Sequence, residues 1–98
     1  MSEEILEKIV SKPYMEEVLS FINKKTKREC ELEDKIIHTS YWSAGFEVDY
    51  VFLKIKCKEG DVTLYAPVAY VMRDGNQIYI RQYTVKEAVS KALNALAK

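Results

Sequence analysis

Residues Phe46–Cys57 read FEVDYVFLKIKC, two alternations of opposite phase that meet at Val51-Phe52-Leu53. In the first half Phe46, Val48, Tyr50 and Phe52 alternate with Glu47 and Asp49; in the second Leu53, Ile55 and Cys57 alternate with Lys54, Lys56 and Lys58. A period of two marks a β-strand, whose successive side chains point to opposite faces. A single strand carrying both phases must pass its buried side from one face of the sheet to the other near its middle.

The neighbouring segments supply partners on both sides. Upstream, Cys30, Leu32 and Ile36 alternate with Glu29, Glu31, Glu33 and Lys35. A hairpin that sets Glu29 against Lys58, Glu31 against Lys56 and Glu33 against Lys54 pairs opposite charges along one face. The same register sets Cys30 against Cys57, Leu32 against Ile55 and Ile36 against Val51 on the other. Such cross-strand pairs contribute roughly 0.2 to 1 kcal/mol each, so their agreement matters chiefly as a register signal. Downstream, Lys58-Glu59-Gly60-Asp61 is a turn signal. The third strand, Val62 to Arg73, adds Val62, Leu64, Ala66 and Val68 to the face of Cys57, Ile55, Leu53 and Val51. Pro67 then falls opposite Phe52. Proline lacks an N–H and belongs at bulges or edges, so both strands place a bend there.

A further reversal at Arg73-Asp74-Gly75-Asn76-Gln77 leads to a fourth strand, Ile78 to Tyr83. Its loop can hold two or three residues, which leaves open whether Ile78 and Ile80, or Tyr79 and Arg81, face the core. Three helices complete the expectation. Ser2 caps the first, with Ile5, Leu6, Ile9 and Val10 on its apolar face. Pro13 opens the second, with Met15, Val18, Leu19, Phe21 and Ile22 inward and Lys24, Lys25, Lys27 and Arg28 at its end, where cations complement the helix dipole. Thr84 and Glu87 form a capping box for the last, whose stripe is Val85, Ala88, Val89, Ala92, Leu93 and Leu96. The predicted fold class is α+β, ordered α-α-β-β-β-β-α, with a bent four-stranded antiparallel meander covered by helices. The meander also leaves a second apolar patch, Phe46, Val48, Tyr50 and Phe52 with Ile37 and Val71, on the opposite side.

A chain of 98 residues is read as a single domain over residues 1–98, enough to bury roughly two-thirds of its unfolded surface. No apolar run approaches the roughly 18 residues of a membrane span. The opening MSEEILEKIV carries acids rather than the basic and apolar regions of a signal peptide, so a cytoplasmic location is expected. Lys and Arg number 15, as do Asp and Glu, whereas a dedicated nucleic-acid binder carries a basic surplus. Many charges with few Asn and Gln fit a thermophilic source. Cys30 and Cys57 lack metal-ligand spacing, so no metal and no cofactor is expected. Two reduced core thiols are the default for a cytosolic pair. A cross-strand disulfide is the alternative, especially in a hyperthermophile.

Three groups of residues bear on function. The hairpin register brings His38 opposite Asp49 and Asp49 opposite Tyr70, a row that could serve as an acid–base or small-ligand site if the bend makes a pocket. The bland reading of that row is a hydrogen-bonded polar line at a sheet end. The connection after the first strand contains Tyr41 and Trp42, side chains that anchor partners with large area at little entropy cost or fold back over the core. Lys24, Lys25, Lys27 and Arg28, together with Lys54, Lys56 and Lys58, are the best case for nucleic acid. Glu29, Glu31 and Glu33 across the hairpin cancel much of that field.

Part of the chain resembles small archaeal Holliday-junction resolvases, in which acid-bearing strands precede an isoleucine-rich strand and a helix. Asp49 and the stretch NQIYIRQYTVKEA carry the resemblance. The E-x-K of that family has no counterpart in the third strand, LYAPVAYV, so metal-assisted cleavage is not implied.

The expected function is therefore a small non-enzymatic interaction or regulatory module, homodimeric, with Tyr41, Trp42, Phe46, Val48, Tyr50 and Phe52 as its contact residues. Its partners are a second copy and another protein, not a membrane.

Overall fold

Four antiparallel strands, β1 (Cys30–Tyr41), β2 (Phe46–Cys57), β3 (Val62–Asp74) and β4 (Gln77–Gln82), follow one another across the sheet between α1 (Lys12–Thr26) and α2 (Val85–Leu96). The computed structural model describes residues 8–41 and 45–96. The class is the expected α+β with an antiparallel meander. Lys8 and Ile9 are helical, Val10 is a bend residue buried in the core, and the part of the expected first helix before Lys8 lies outside the described residues.

Local chemistry sets the helix ends. Ser11 is extended and its hydroxyl accepts from the Tyr14 N–H at 3.4 Å, while Pro13 occupies the first turn, where its missing N–H costs nothing. At the other end Lys27 adopts the left-handed conformation, φ 57°, and its N–H closes onto the Asn23 carbonyl. The Asn23 side chain then accepts from the Cys30 N–H at 2.8 Å, fixing where β1 begins. The capping box of α2 forms as read: the Thr84 N–H donates to Glu87 Oε1 at 3.0 Å and the Glu87 N–H to Thr84 Oγ1 at 3.1 Å. The bond from the Thr84 backbone, helped by Arg81, holds the Glu87 carboxyl below its ordinary range.

The strand registers agree with expectation at the Cys57 end and depart from it by one residue beyond. Between β2 and β3, Cys57 faces Val62, Ile55 faces Leu64, Leu53 faces Ala66 and Phe52 faces Pro67. Val68 is then an extra residue, so Val51 faces Ala69 and Tyr50 faces Tyr70. Between β1 and β2, Cys30 faces Cys57, Glu31 faces Lys56 and Leu32 faces Ile55, after which Glu33 is extra and Asp34 faces Lys54. Each step is a bulge, in which two residues of one strand oppose one of its neighbour and the strand bends. Proline cannot join the ladder, so the bulge beside Pro67 stands where the bend was expected. Gly75 and Asn76 make the last reversal a two-residue turn, with Gly75 at φ 59°, a conformation glycine adopts without strain.

Both helices pack on one face. Val18 and Ile22 of α1 and Ala88, Val89 and Ala92 of α2 meet Val51, Leu53, Ile55 and Cys57 of β2 and Leu64, Ala66, Val68, Ala69 and Val71 of β3. Removing such side chains from water contributes about 1.5 to 3 kcal/mol for each Val, Leu or Ile. Two assignments change with the bulges. Val71 belongs to this core and Ile37 lies on the same helix side opposite Val51, so neither is part of the second patch. Ile36, expected against Val51, faces Phe52 on the other side, and Ile37 takes the place opposite Val51. Cys30 and Cys57, directly opposed and buried, are joined in a disulfide instead of remaining thiols. With a sequence separation of 27, closing that loop in the unfolded chain is worth about 3.5 kcal/mol on the chain-entropy account.

Candidate functional site

The alternation of β2 is unbroken; what changes along it is which face is apolar. Toward Cys57 the helix-covered face carries Leu53 and Ile55, and Lys54 and Lys56 point the other way. Toward Phe46 the order inverts. Phe46, Val48, Tyr50 and Phe52 lie on the face away from the helices, where Tyr70 and Met72 of β3 and Ile36 of β1 are their cross-strand neighbours. Val48 is 2% exposed without belonging to the helix-side core, because the larger side chains around it close over it. The Tyr50 and Tyr70 rings are 6.3 Å apart, and Tyr83 approaches Tyr70 edge-on at 6.3 Å, the tilted geometry that ring quadrupoles favour. Val48, Tyr50, Tyr70, Met72 and Tyr83 line a shallow hollow of 340 Å³. Arg81 lies 5.0 Å and Lys91 5.3 Å from the Tyr83 ring centroid, so cations rim one side of an aromatic surface.

The row of His38, Asp49 and Tyr70 does not form. The Glu33 and Val68 bulges set His38 and Tyr70 on either side of Tyr50, while Asp49 faces Thr39 and Val71. Asp49 therefore points to the helix side, opposite to His38 and Tyr70. There it is 6% exposed. It accepts from Thr39 Oγ1 at 2.7 Å and from Arg73 Nη2 at 3.0 Å, and Arg73 also pairs with Glu47 at 3.3 Å. A carboxylate so engaged is a structural ion pair closing the sheet beyond the reach of the helices.

The lysine row is spoken for. Lys54 binds Glu33 at 3.1 Å, Lys56 binds Asp61 at 3.8 Å and Lys58 approaches Glu29 at 3.6 Å and Glu31 at 4.0 Å. The hydrogen bond that Lys54 donates to the Glu33 carboxylate raises the Lys54 pKa. Of the other basic cluster, Lys24, Lys25 and Lys27 are exposed, whereas Arg28 turns Nη1 inward, buried and without a hydrogen-bond partner, beside the Gly60 turn. Tyr41 ends β1 at 76% exposed, and Trp42 lies outside the described residues. Among the described residues no cluster of His, Cys, Asp and Glu is arranged for a metal, and no helix is long and apolar enough to cross a membrane.

Tyr70, Met72 and Ile36 were missing from the expected contact surface, although Tyr70 and Met72 flank Val71 at strand spacing. A one-residue bulge after Pro67 is the step that turns them outward. Comparison with known proteins finds no match: no family model, no curated protein and no solved structure aligns with this chain.

Proposed function

We propose that this protein is a small non-enzymatic interaction module, a homodimer that offers the aromatic face of its sheet to another protein. The observation that carries the reading is the face of Phe46, Tyr50, Phe52, Tyr70 and Met72, which neither α1 nor α2 covers. Antiparallel sheets tolerate one wet face when it is polar, and a contiguous apolar one calls for a cover. Aromatic residues and Met are also the types enriched at the cores of protein interfaces. A cytoplasmic setting and a Cys30–Cys57 disulfide are reconciled in a hyperthermophile, whose intracellular proteins keep such bonds.

The test compares wild-type protein with a Tyr50→Ser/Phe52→Ser variant in co-purification from the native source, with folding checked by circular dichroism. A stoichiometric partner that the folded variant loses is the expected result; equal recovery by both removes the reading. Sedimentation equilibrium tests self-association separately, and a strictly monomeric chain at high concentration removes the homodimer.

A further inference from the structure

We infer that the groove between the two helices is where a second copy of this chain docks, an inference that rests on the homodimer proposed above and gives it a surface. On α1, Glu17, Phe21 and Lys25 follow one another at every fourth position, which aligns them along one side of the helix. All three border a groove of 690 Å³ whose other wall is Val85, Val89 and Leu93 of α2. Phe21 is 43% exposed, a large apolar ring standing in the middle of the line. Among the described residues neither Glu17 nor Lys25 forms an ion pair.

A two-fold interface requires that if residue i meets residue j, residue j also meets residue i. The line satisfies this. Its acid and its cation each stand about 6 Å along the axis from Phe21, at about 1.5 Å per residue. When two α1 helices cross antiparallel with their Phe21 rings at the centre, Glu17 of each copy reaches Lys25 of the other. Each ring meets the α2 wall of the opposite groove. Lys86, on the same rim, gives Glu17 a second cation to approach. A foreign helix would need an apolar residue flanked by the same charges in reverse, whereas a second copy supplies them by symmetry.

Charge reversal tests the pairing. Sedimentation equilibrium is run on the wild type, Glu17→Lys, Lys25→Glu and the combined variant, with thermal melts to show that these exposed changes leave the fold intact. Each single reversal creates two like-charge contacts and is expected to weaken the dimer about tenfold or more, and the combined reversal to recover part of that loss, the remainder reflecting the Glu17→Lys cation placed near Lys86. Phe21→Ser is expected to weaken it by at least as much, with circular dichroism showing that the chain still folds. A combined variant no better than the singles, or singles that bind as the wild type does, overturns the inference. A dimer indifferent to all these changes but lost in Phe52→Ser overturns it while leaving the homodimer standing. A wild type monomeric at millimolar concentration removes both.

Discussion

The two ends of the sheet are built inversely. At the disulfide end the apolar side chains of β2 and β3 face the helices, and the opposite face carries lysines tied to Glu33, Asp61, Glu29 and Glu31. At the far end the helix-side face carries Glu47, Asp49 and Arg73 bound to one another, and the opposite face carries the aromatics. The strands run well beyond their helical cover, so the same alternation that makes a core at one end makes a charged closure and a half-buried aromatic surface at the other.

The sharpest way to break this contrast is to truncate neighbouring residues of β2. Leu53→Ala removes a fully buried side chain and is expected to cost about 3 to 4 kcal/mol. Phe52→Ala, larger but partly exposed on the other face, is expected to cost about 1 kcal/mol. Urea denaturation of dilute protein measures both, and equal losses would mean that the two faces are equally covered. At the far end, Arg73→Met leaves Asp49 buried without its cation and is expected to cost about 2 to 3 kcal/mol, with much of it regained when Asp49→Asn is added. A silent Arg73→Met would show that the charged closure contributes nothing.

The smallest effect concerns the junction of the two ends. The Tyr14 hydroxyl donates to the Tyr83 carbonyl at 2.6 Å and lies 3.4 Å from that of Val68, tying α1 to the bulge. Burial, and then the Glu87 charge, push its pKa from 10.0 up to about 12. The folded state therefore binds this proton more tightly than the unfolded chain does. The resulting stability is fully present below pH 10 and is lost as the pH rises toward about 12. Tyr14→Phe is expected to cost about 1 kcal/mol at neutral pH and to flatten stability curves in that alkaline window. A curve as steep as that of the wild type would detach Tyr14 from the junction.

Much of this was legible in the sequence because alternation and charge pairing agree. The Cys57 end of both hairpins, the bend at Pro67 and the Thr84–Glu87 cap could all be read from residue types. The bulges could not be counted. Glu33 sits in a run of charges and Val68 in a run of apolar residues, so adding one residue changes neither composition nor pattern. Only the pairing beyond it moves, which is why Asp49 left the company of His38 and Tyr70. The short fourth strand was ambiguous for the same reason. Its two-residue turn aligns Ile78 and Ile80 with Arg73 and Val71, and Tyr79 with Met72. The surface role of Glu17, Phe21 and Lys25 was hidden because an apolar residue at helical spacing reads as core until the neighbouring helix is placed.

The unpaired Val68 also carries a consequence for how this gene tolerates change. Substituting that residue alters one buried side chain. Losing its codon would instead close the two-against-one step: Ala69 would follow Pro67 directly and keep Val51 as its partner, and every pair beyond would stay as it is. What goes is the bend, while Val71 stays inward and Tyr70 and Met72 stay on the outer face. A three-nucleotide deletion at Val68 is therefore expected to be tolerated better than one at a paired residue such as Val71, which shifts every pair beyond it and turns the end of the strand over.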